Sequence, residues 1–431
     1  MPALKNEEYA KKKSMYKKST LIQKLFRPAE IHQIIVVHTN DTVEIAEKLR
    51  NQLAKRCLEV GLNIEHWGCQ LVGGGKKVEE LKENLEVLFK KISQCNTEAM
   101  IIFIDKSHRS EWLLAVNGRR YQIRTINLEL DLVKLILQES SGLNQLIRTI
   151  NTKMGGVTRQ VKHRKWINDN KTMIISYDVS HPIGKGVDVT KQPPSTVGFS
   201  FNGGAHRELF IGDFHYQKTR QERVECDILV ARTKWMLEKF EANRGQLPKK
   251  IIVMRDGVSQ SQYTMVIEKE LAAIRQGCLE YAEKHDIQNW RPKFAVGIAT
   301  KRHNIAPIDE CKRKLVLRLD EGRKTRQVFE KFIKTDSQAS KAVAYQLLED
   351  QNIFKSMERF EEFIRELASC HQDSDEQINL PEPIFRADDM ARIGYRMYKS
   401  FAKTEMLDSK VHNDYPMLTS RLAFWRTKLD S

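Results

Sequence analysis

The chain is poor in cysteine: seven in 431 residues, widely scattered and without a Cys-x-x-Cys pair. That excludes a disulfide framework and a thiolate zinc site, and points to a reducing compartment. No apolar run approaches the roughly 18 residues that a membrane-spanning helix requires. The N-terminal stretch has no apolar signal core; Lys11, Lys12, Lys13, Lys17 and Lys18 crowd it instead. No internal repeat is visible. Acidic residues are in deficit, 56 against 72 lysines and arginines, for a net charge of +16. A surplus that large favours a polyanionic partner, most simply nucleic acid.

What the chain does have is two apolar runs that each deliver an aspartate. Thr172 to Tyr177 is followed by Asp178-Val179-Ser180-His181-Pro182, and Lys250 to Met254 by Arg255-Asp256-Gly257. A carboxylate carried by a buried strand is costly to place. It makes sense where two such strands lie side by side and their carboxylates share a metal ion, as in the core of an RNase H-like nuclease. Hard oxygen ligands suit Mg2+ or Mn2+.

Around these runs the pattern is α/β. Residues 1–29 are basic and aperiodic and read as a linker or tail. From residue 30 to 160 strands alternate with helices, which predicts a parallel, Rossmann-like domain. The spacing places strands at Ile31–Val37, Ala99–Ile104 and Arg120–Leu128. Helices are expected at Thr42–Glu59, Val78–Ser93, Ser110–Asn117 and Glu129–Lys153, the last broken near Ser141-Gly142. Gly73-Gly74-Gly75 lacks a strand-to-helix frame and reads as a loop. Gly155-Gly156 ends the long helix and opens a boundary. Residues 161–431 form the second domain: the Asp178 strand, strands at Thr196–Phe201 and Glu208–Phe214, and a helix over Lys218–Asn243. The Asp256 strand, a helix from about Gln262 to Glu283 and a strand at Lys293–Ile298 follow. Residues 305–375 read as charged and mostly helical, with short strands near Leu315 and Val343–Leu348, and the chain closes on helices from Asp388.

The segments Tyr177–Pro182 and Arg255-Asp256-Gly257 through Cys278 resemble the PIWI domain of Argonaute proteins. The resemblance runs from about Ile31 to the end and covers the MID and PIWI domains that form the C-terminal half of that family. It implies four acidic site positions: Asp178, Glu222 at the start of the long helix, Asp256, and Asp388 in the Pro381-Glu382-Pro383 to Asp388 stretch. Asp178, Asp256 and Asp388 would be the metal ligands. A helix N-cap is the rival role for Asp388. For the guide strand, the resemblance implies Lys153 in Ile150-Asn151-Thr152-Lys153-Met154-Gly155-Gly156 at the 5′ phosphate. Lys106 and Trp112 fall where that pocket would lie, Trp112 being equally a core residue. Lys301, Arg302 and His303 would contact guide phosphates. So would Lys341, in an Ala339–Ala342 echo of the family's Gly-Thr-x-x-Pro element, and Arg392, in place of an arginine one residue on, where Ile393 stands.

The resemblance implies a small-guide-RNA-binding silencing protein, cytoplasmic or nuclear. It would cleave a paired target RNA by two-metal phosphodiester hydrolysis, the ions about 3.5–4 Å apart. Partners would be the guide, its complementary target and silencing-complex proteins, with no membrane. A guide-binding factor that does not cut, acting through protein partners, is the alternative; another RNase H-like nuclease is a third. No PAZ-like domain is legible, so the guide's 3′ end has no expected housing.

Overall fold

The computed structural model describes residues 24–73, 78–95, 98–106, 111–161, 165–182, 193–301, 343–373 and 380–402, together with the backbone of a strand at Arg326–Glu330. Arg302, His303, Leu315 and Lys341 lie outside the described residues. The chain divides into two compact units. One comprises residues up to Gln160, with Gln372–Glu376 and Lys399–Met406; the other begins at Val161 and takes in Gln377–Tyr398.

In the first unit, strands β1 (Ile31–His38), β2 (Ile64–Leu71), β3 (Ala99–Asp105) and β4 (Arg124–Glu129) form a parallel sheet in the order β2-β1-β3-β4. Both faces are covered, which is why β1 and β3 read as continuous apolar runs. Ile34, Val36, Met100 and Ile102 pack under α1 (Val43–Glu59), α4 (Leu130–Gln138) and α5 (Ser140–Lys153). Ile35, Val37, Ile101 and Phe103 pack under α2 (Val78–Gln94) and α3 (Glu111–Arg120). This three-layer arrangement is the Rossmann-like fold expected.

Several boundaries differ from the sequence reading. β2 was not anticipated, because it is a half-exposed edge strand carrying Glu65, His66 and Gln70 and has no apolar run. The alternation from Arg120 begins as the last turn of α3 and becomes strand only at Arg124. The helix break falls at Glu139, held extended at φ −123°, ψ 127°. Gly142 then allows α5 to pack on Ile136, whose Cα would lie 2.7 Å from any Cβ there. Residues 24–29 are not tail: Leu25 and Ala29 are buried, Arg27 bridges Val157, and Asn151 Oδ1 accepts from the Ala29 amide at 2.8 Å.

In the second unit seven strands run in the order β10-β11-β9-β8-β5-β6-β7. β5 (Thr172–Ser180), β6 (Ser195–Phe201) and β7 (Ile211–Gln217) form an antiparallel meander, and β8 (Lys250–Asp256) and β9 (Lys293–Thr300) continue parallel to β5. β10 (Arg326–Glu330) and β11 (Val343–Asp350) close the far edge antiparallel. One sheet face packs α6 (Cys226–Arg244) and α7 (Leu271–Lys284) on Ile175, Tyr177, Phe199 and Val253. The other packs α8 (Met357–Ala368) and the start of α9 (Glu382–Ala402) on Ile174, Ile252, Met254 and Tyr345. This meander-then-parallel sheet, helical on both faces, is the RNase H-like domain expected.

Candidate active site

Register brings the two aspartates together. β5 and β8 are parallel neighbours, and Tyr177 pairs with Arg255. One residue on, Asp178 and Asp256 therefore stand side by side, on the face opposite Tyr177 because side chains alternate along a strand. β8 ends at Asp256, whereas β5 runs two residues past Asp178. Asp178 is 9% exposed and Asp256 1%.

Gly257 follows with φ +82°, a conformation that favours glycine. A Cβ there would also lie 3.1 Å from Asp178 Oδ1 and 3.9 Å from Glu222 Oε1. The same glycine thus turns the chain and leaves room for two carboxylates.

Asp388 arrives by packing. Asp178 pairs across the meander with Gly198. At Gly198 a Cβ would meet Ala387 O at 2.0 Å and Ala391 N at 2.4 Å. The absent side chain lets α9 lie directly on β6, and Asp388 comes over Asp178 as a consequence. Asp388 lies inside α9, six residues past its first residue, so the N-cap role is excluded. The helix is started by Pro381, whose carbonyl accepts from the amides of Ile384 and Phe385 at 3.0 and 3.1 Å.

Glu222 was expected on the long helix. α6 begins only at Cys226, and Glu222 lies in the loop before it. The backbone there is diverted to side chains: the Val224 amide donates to Glu270 Oε1 at 2.9 Å. Glu222 is held from two sides. Arg255 donates to its Oε1 and to its carbonyl, each at 3.0 Å. His181 Nε2 lies 2.9 Å from Oε2. His181 Nδ1 lies 2.9 Å from Ser195 Oγ, which accepts from the Arg220 amide at 2.8 Å. A chain in which Ser195 O–H donates to Nδ1 and Nε2–H donates to Glu222 satisfies every group.

Arg255 is fully buried and is anchored in turn. Its Nε lies 3.3 Å from Glu270 Oε2, which also accepts from Tyr177 O–H at 3.0 Å; the guanidinium sits over the Tyr177 ring. Glu270 closes a π turn (Val266–Glu270) ahead of α7, a break in helix period that turns its side chain inward. Burial works to lower the Arg255 guanidinium, but Glu270, Tyr177 and Glu222 outweigh it and raise it.

The electrostatics follow from crowding. Burial, then Asp256 and Asp388, push the Asp178 carboxyl up to about 7, against the pull of Lys301 and Arg255. Burial also raises Asp256, with Lys301 opposing and Asp388 adding. Burial works to raise Glu222, but His181 and Arg255 prevail and hold it below its ordinary value. Lys301 Nζ stands 2.5 Å from Asp256 Oδ2 and 3.8 Å from Asp388 Oδ2.

These residues suit a divalent cation. The donors are all carboxylate oxygens, and among the described residues neither buried Asp256 oxygen completes a well-formed hydrogen bond. A cation, the Lys301 ammonium, already stands against two of them. No three of the four carboxylates bring oxygens within 4.8 Å of one another, so the cluster is looser than a loaded metal shell.

Of the remaining expected residues, Lys301 and Arg392 border the carboxylates, and Lys106, Trp112 and Lys153 lie in the first unit. Lys301, expected on guide phosphates, is instead engaged by Asp256. Arg392 lies one turn beyond Asp388 on α9 and approaches its Oδ2 at 3.5 Å and Asp389 Oδ1 at 3.8 Å. In the first unit Lys106 pairs with Asp41 at 2.8 Å, and Lys153 donates to the Thr125 carbonyl at 3.0 Å. Trp112 packs half-buried against the core beneath α2 and α3. The sequence reading missed His181, Arg255 and Glu270. An arginine inside an apolar strand was a signal for Arg255, since a buried charge needs partners; nothing local marked Glu270.

The chain has counterparts among known proteins. The Piwi domain profile matches residues 101–399. The tag-76 protein of Caenorhabditis elegans is 25% identical over 295 residues, 65% of this chain and 27% of that protein, so the chain spans about a quarter of this curated relative. Among solved structures, the C-terminal lobe of a budding yeast Argonaute superposes with a TM-score of 0.75 at 15% identity, covering 93% of this chain and 87% of that one. Kluyveromyces polysporus Argonaute with a guide RNA gives 0.70 at 14% identity, over 87% and 45%.

Proposed function

Because this chain belongs to the Piwi domain family, we propose that it binds a small guide RNA and cleaves the RNA paired to that guide. The observation that carries the reading is the gathering of Asp178, Glu222, Asp256 and Asp388 at one end of the β5–β8 pair, with Asp256 buried and facing the Lys301 ammonium. The solved K. polysporus neighbour holds a guide RNA, which supports that class of partner. Base pairing would supply sequence recognition, while the protein holds backbone and A-form shape.

Asp178, Asp256 and Asp388 would hold Mg2+ or Mn2+, which when bound activates water and stabilises the leaving oxygen. The chain's own residues do the rest. Glu222, ionised and fixed by Arg255 and His181, presents a carboxylate that orients water by accepting its hydrogen bonds. Arg255 and Glu270 keep the Glu222 loop in register with β8. Lys301 neutralises Asp256 and Asp388 and would give way to a bound divalent ion. Lys153 and the first unit's surface would serve the guide's 5′ end, in the cytoplasm or nucleus.

The test is an RNA-cleavage assay with a loaded guide and complementary RNA, with and without Mg2+. Asp178→Asn and Asp256→Asn should each abolish cutting while guide binding persists. Undiminished cutting by both variants would strike the carboxylates from the site. A second reading, a guide-binding silencing factor that does not cut and works through protein partners, is favoured by one observation: Lys301 occupies Asp256 as a cation would. No Mg2+-dependent cutting by the wild-type chain, with guide binding intact, would select it.

A further inference from the structure

The geometry points to a second metal site, on the first unit, made by His32, Glu65 and His66 and suited to a Zn2+-class transition metal ion. The three donor atoms lie within 4.8 Å of one another, the one such trio among the described residues. Sheet register creates it. β1 and β2 are parallel with Ile31 opposite Ile64 and Gln33 opposite His66, so His32 stands beside Glu65. His32 Nδ1 lies 2.7 Å from Glu65 Oε2, and the His32 and His66 rings are 4.9 Å apart and nearly perpendicular. β2 is the sheet's edge strand, which leaves His66 exposed and able to reach round to the same point.

Two imidazoles and one carboxylate form a mixed N2O set, which selects zinc and its neighbours over Mg2+ or Ca2+. His32 and Glu65 open on a cleft of about 610 Å3 that Glu30 and Glu98 also line, Glu98 being paired with Arg124 at 2.9 Å. On a chain of net charge +16, Glu30 and Glu65 still give this cleft an acidic lining, which attracts a cation. The cleft also leaves space for water at a fourth position. A bound ion would tie edge strand β2 to β1 through side chains, adding to the backbone ladder.

The test uses the untagged full chain, stripped with chelator, with Co2+ as spectroscopic probe and Zn2+ by calorimetry. In an Asp178→Asn, Asp256→Asn background, which disables the carboxylate cluster, one site is expected, with a visible Co2+ ligand-field band. His66→Ala and Glu65→Gln should each weaken it at least tenfold and remove the Zn2+-dependent rise in unfolding temperature. Its presence in that background separates it from the carboxylate cluster. Both trio variants alter exposed side chains, and circular dichroism confirms their fold. Binding that survives both trio variants, or a Co2+ spectrum dominated by thiolate charge transfer, would overturn the assignment and place the ion on cysteines or the aspartates.

Discussion

Lys301 sets its ammonium 2.5 Å from Asp256 Oδ2. Burial works to lower that ammonium, yet Asp256 and Asp388 raise it above its ordinary value. The lysine therefore competes for the oxygens that a divalent cation would take. In the guide-free protein, Lys301→Met should tighten Mn2+ binding by about tenfold, the equivalent of one unit of pKa. Mn2+ titration by electron paramagnetic resonance measures it. Weaker binding in the variant would mean that Lys301 organises the carboxylates rather than competing with the metal.

The Asp178 carboxyl is lifted from 3.8 to about 7 by folding. Between those values the folded state holds a proton that the unfolded chain has released. Stability therefore falls as pH rises through this window, by up to about 1.4 kcal/mol per pH unit, and the loss is complete above the folded value. Asp178→Asn removes the titration and keeps an oxygen to accept from the Val179 amide. In chelator, its stability relative to wild type should climb between pH 4 and pH 7 and level off above. Urea unfolding at pH 5 and pH 8 decides this; a difference that does not change with pH would show Asp178 ionised throughout.

Gly198 is where helix α9 meets the sheet, and the obstacle to any side chain is the Ala387 carbonyl, which is backbone. Gly198→Ala should destabilise by about 1–3 kcal/mol or more through overpacking, and should lower guided cleavage at least tenfold by lifting Asp388 away. Ala387→Gly should not rescue it. Cleavage by the Gly198→Ala variant at the wild-type rate would show that Asp388 does not depend on this contact.

Arg255 and Glu270 are both fully buried. Arg255→Met leaves Glu270 an uncompensated buried charge, a loss of about 3–5 kcal/mol. Adding Glu270→Gln should recover part of it, whereas simple additivity in chemical denaturation would mean the two do not interact.

Asp178 and Asp256 were legible in the sequence because a carboxylate closing an apolar run is a local anomaly that needs no knowledge of the fold. The α/β alternation was legible for the same reason: buried strands are short apolar runs and covering helices show their period. Edge strand β2 was not, since half-exposure removes the apolar signal. Glu222 was found by resemblance but set on the wrong element, because its loop is pinned by Glu270, 48 residues further along the chain.

The sequence by itself determined the α/β alternation, the excess of basic charge and the positions of Asp178 and Asp256, which are written in composition and short-range pattern; Glu222 and Asp388 were identified through the family resemblance. Tertiary structure alone decided how they combine. Parallel pairing of β5 with β8 put two aspartates side by side. A missing Cβ at Gly198 brought in a third carboxylate. A buried arginine fixed the fourth, and strand register set His32 against Glu65. Each is a contact between residues distant in sequence, governed by close packing and strand register, and no local pattern encodes it.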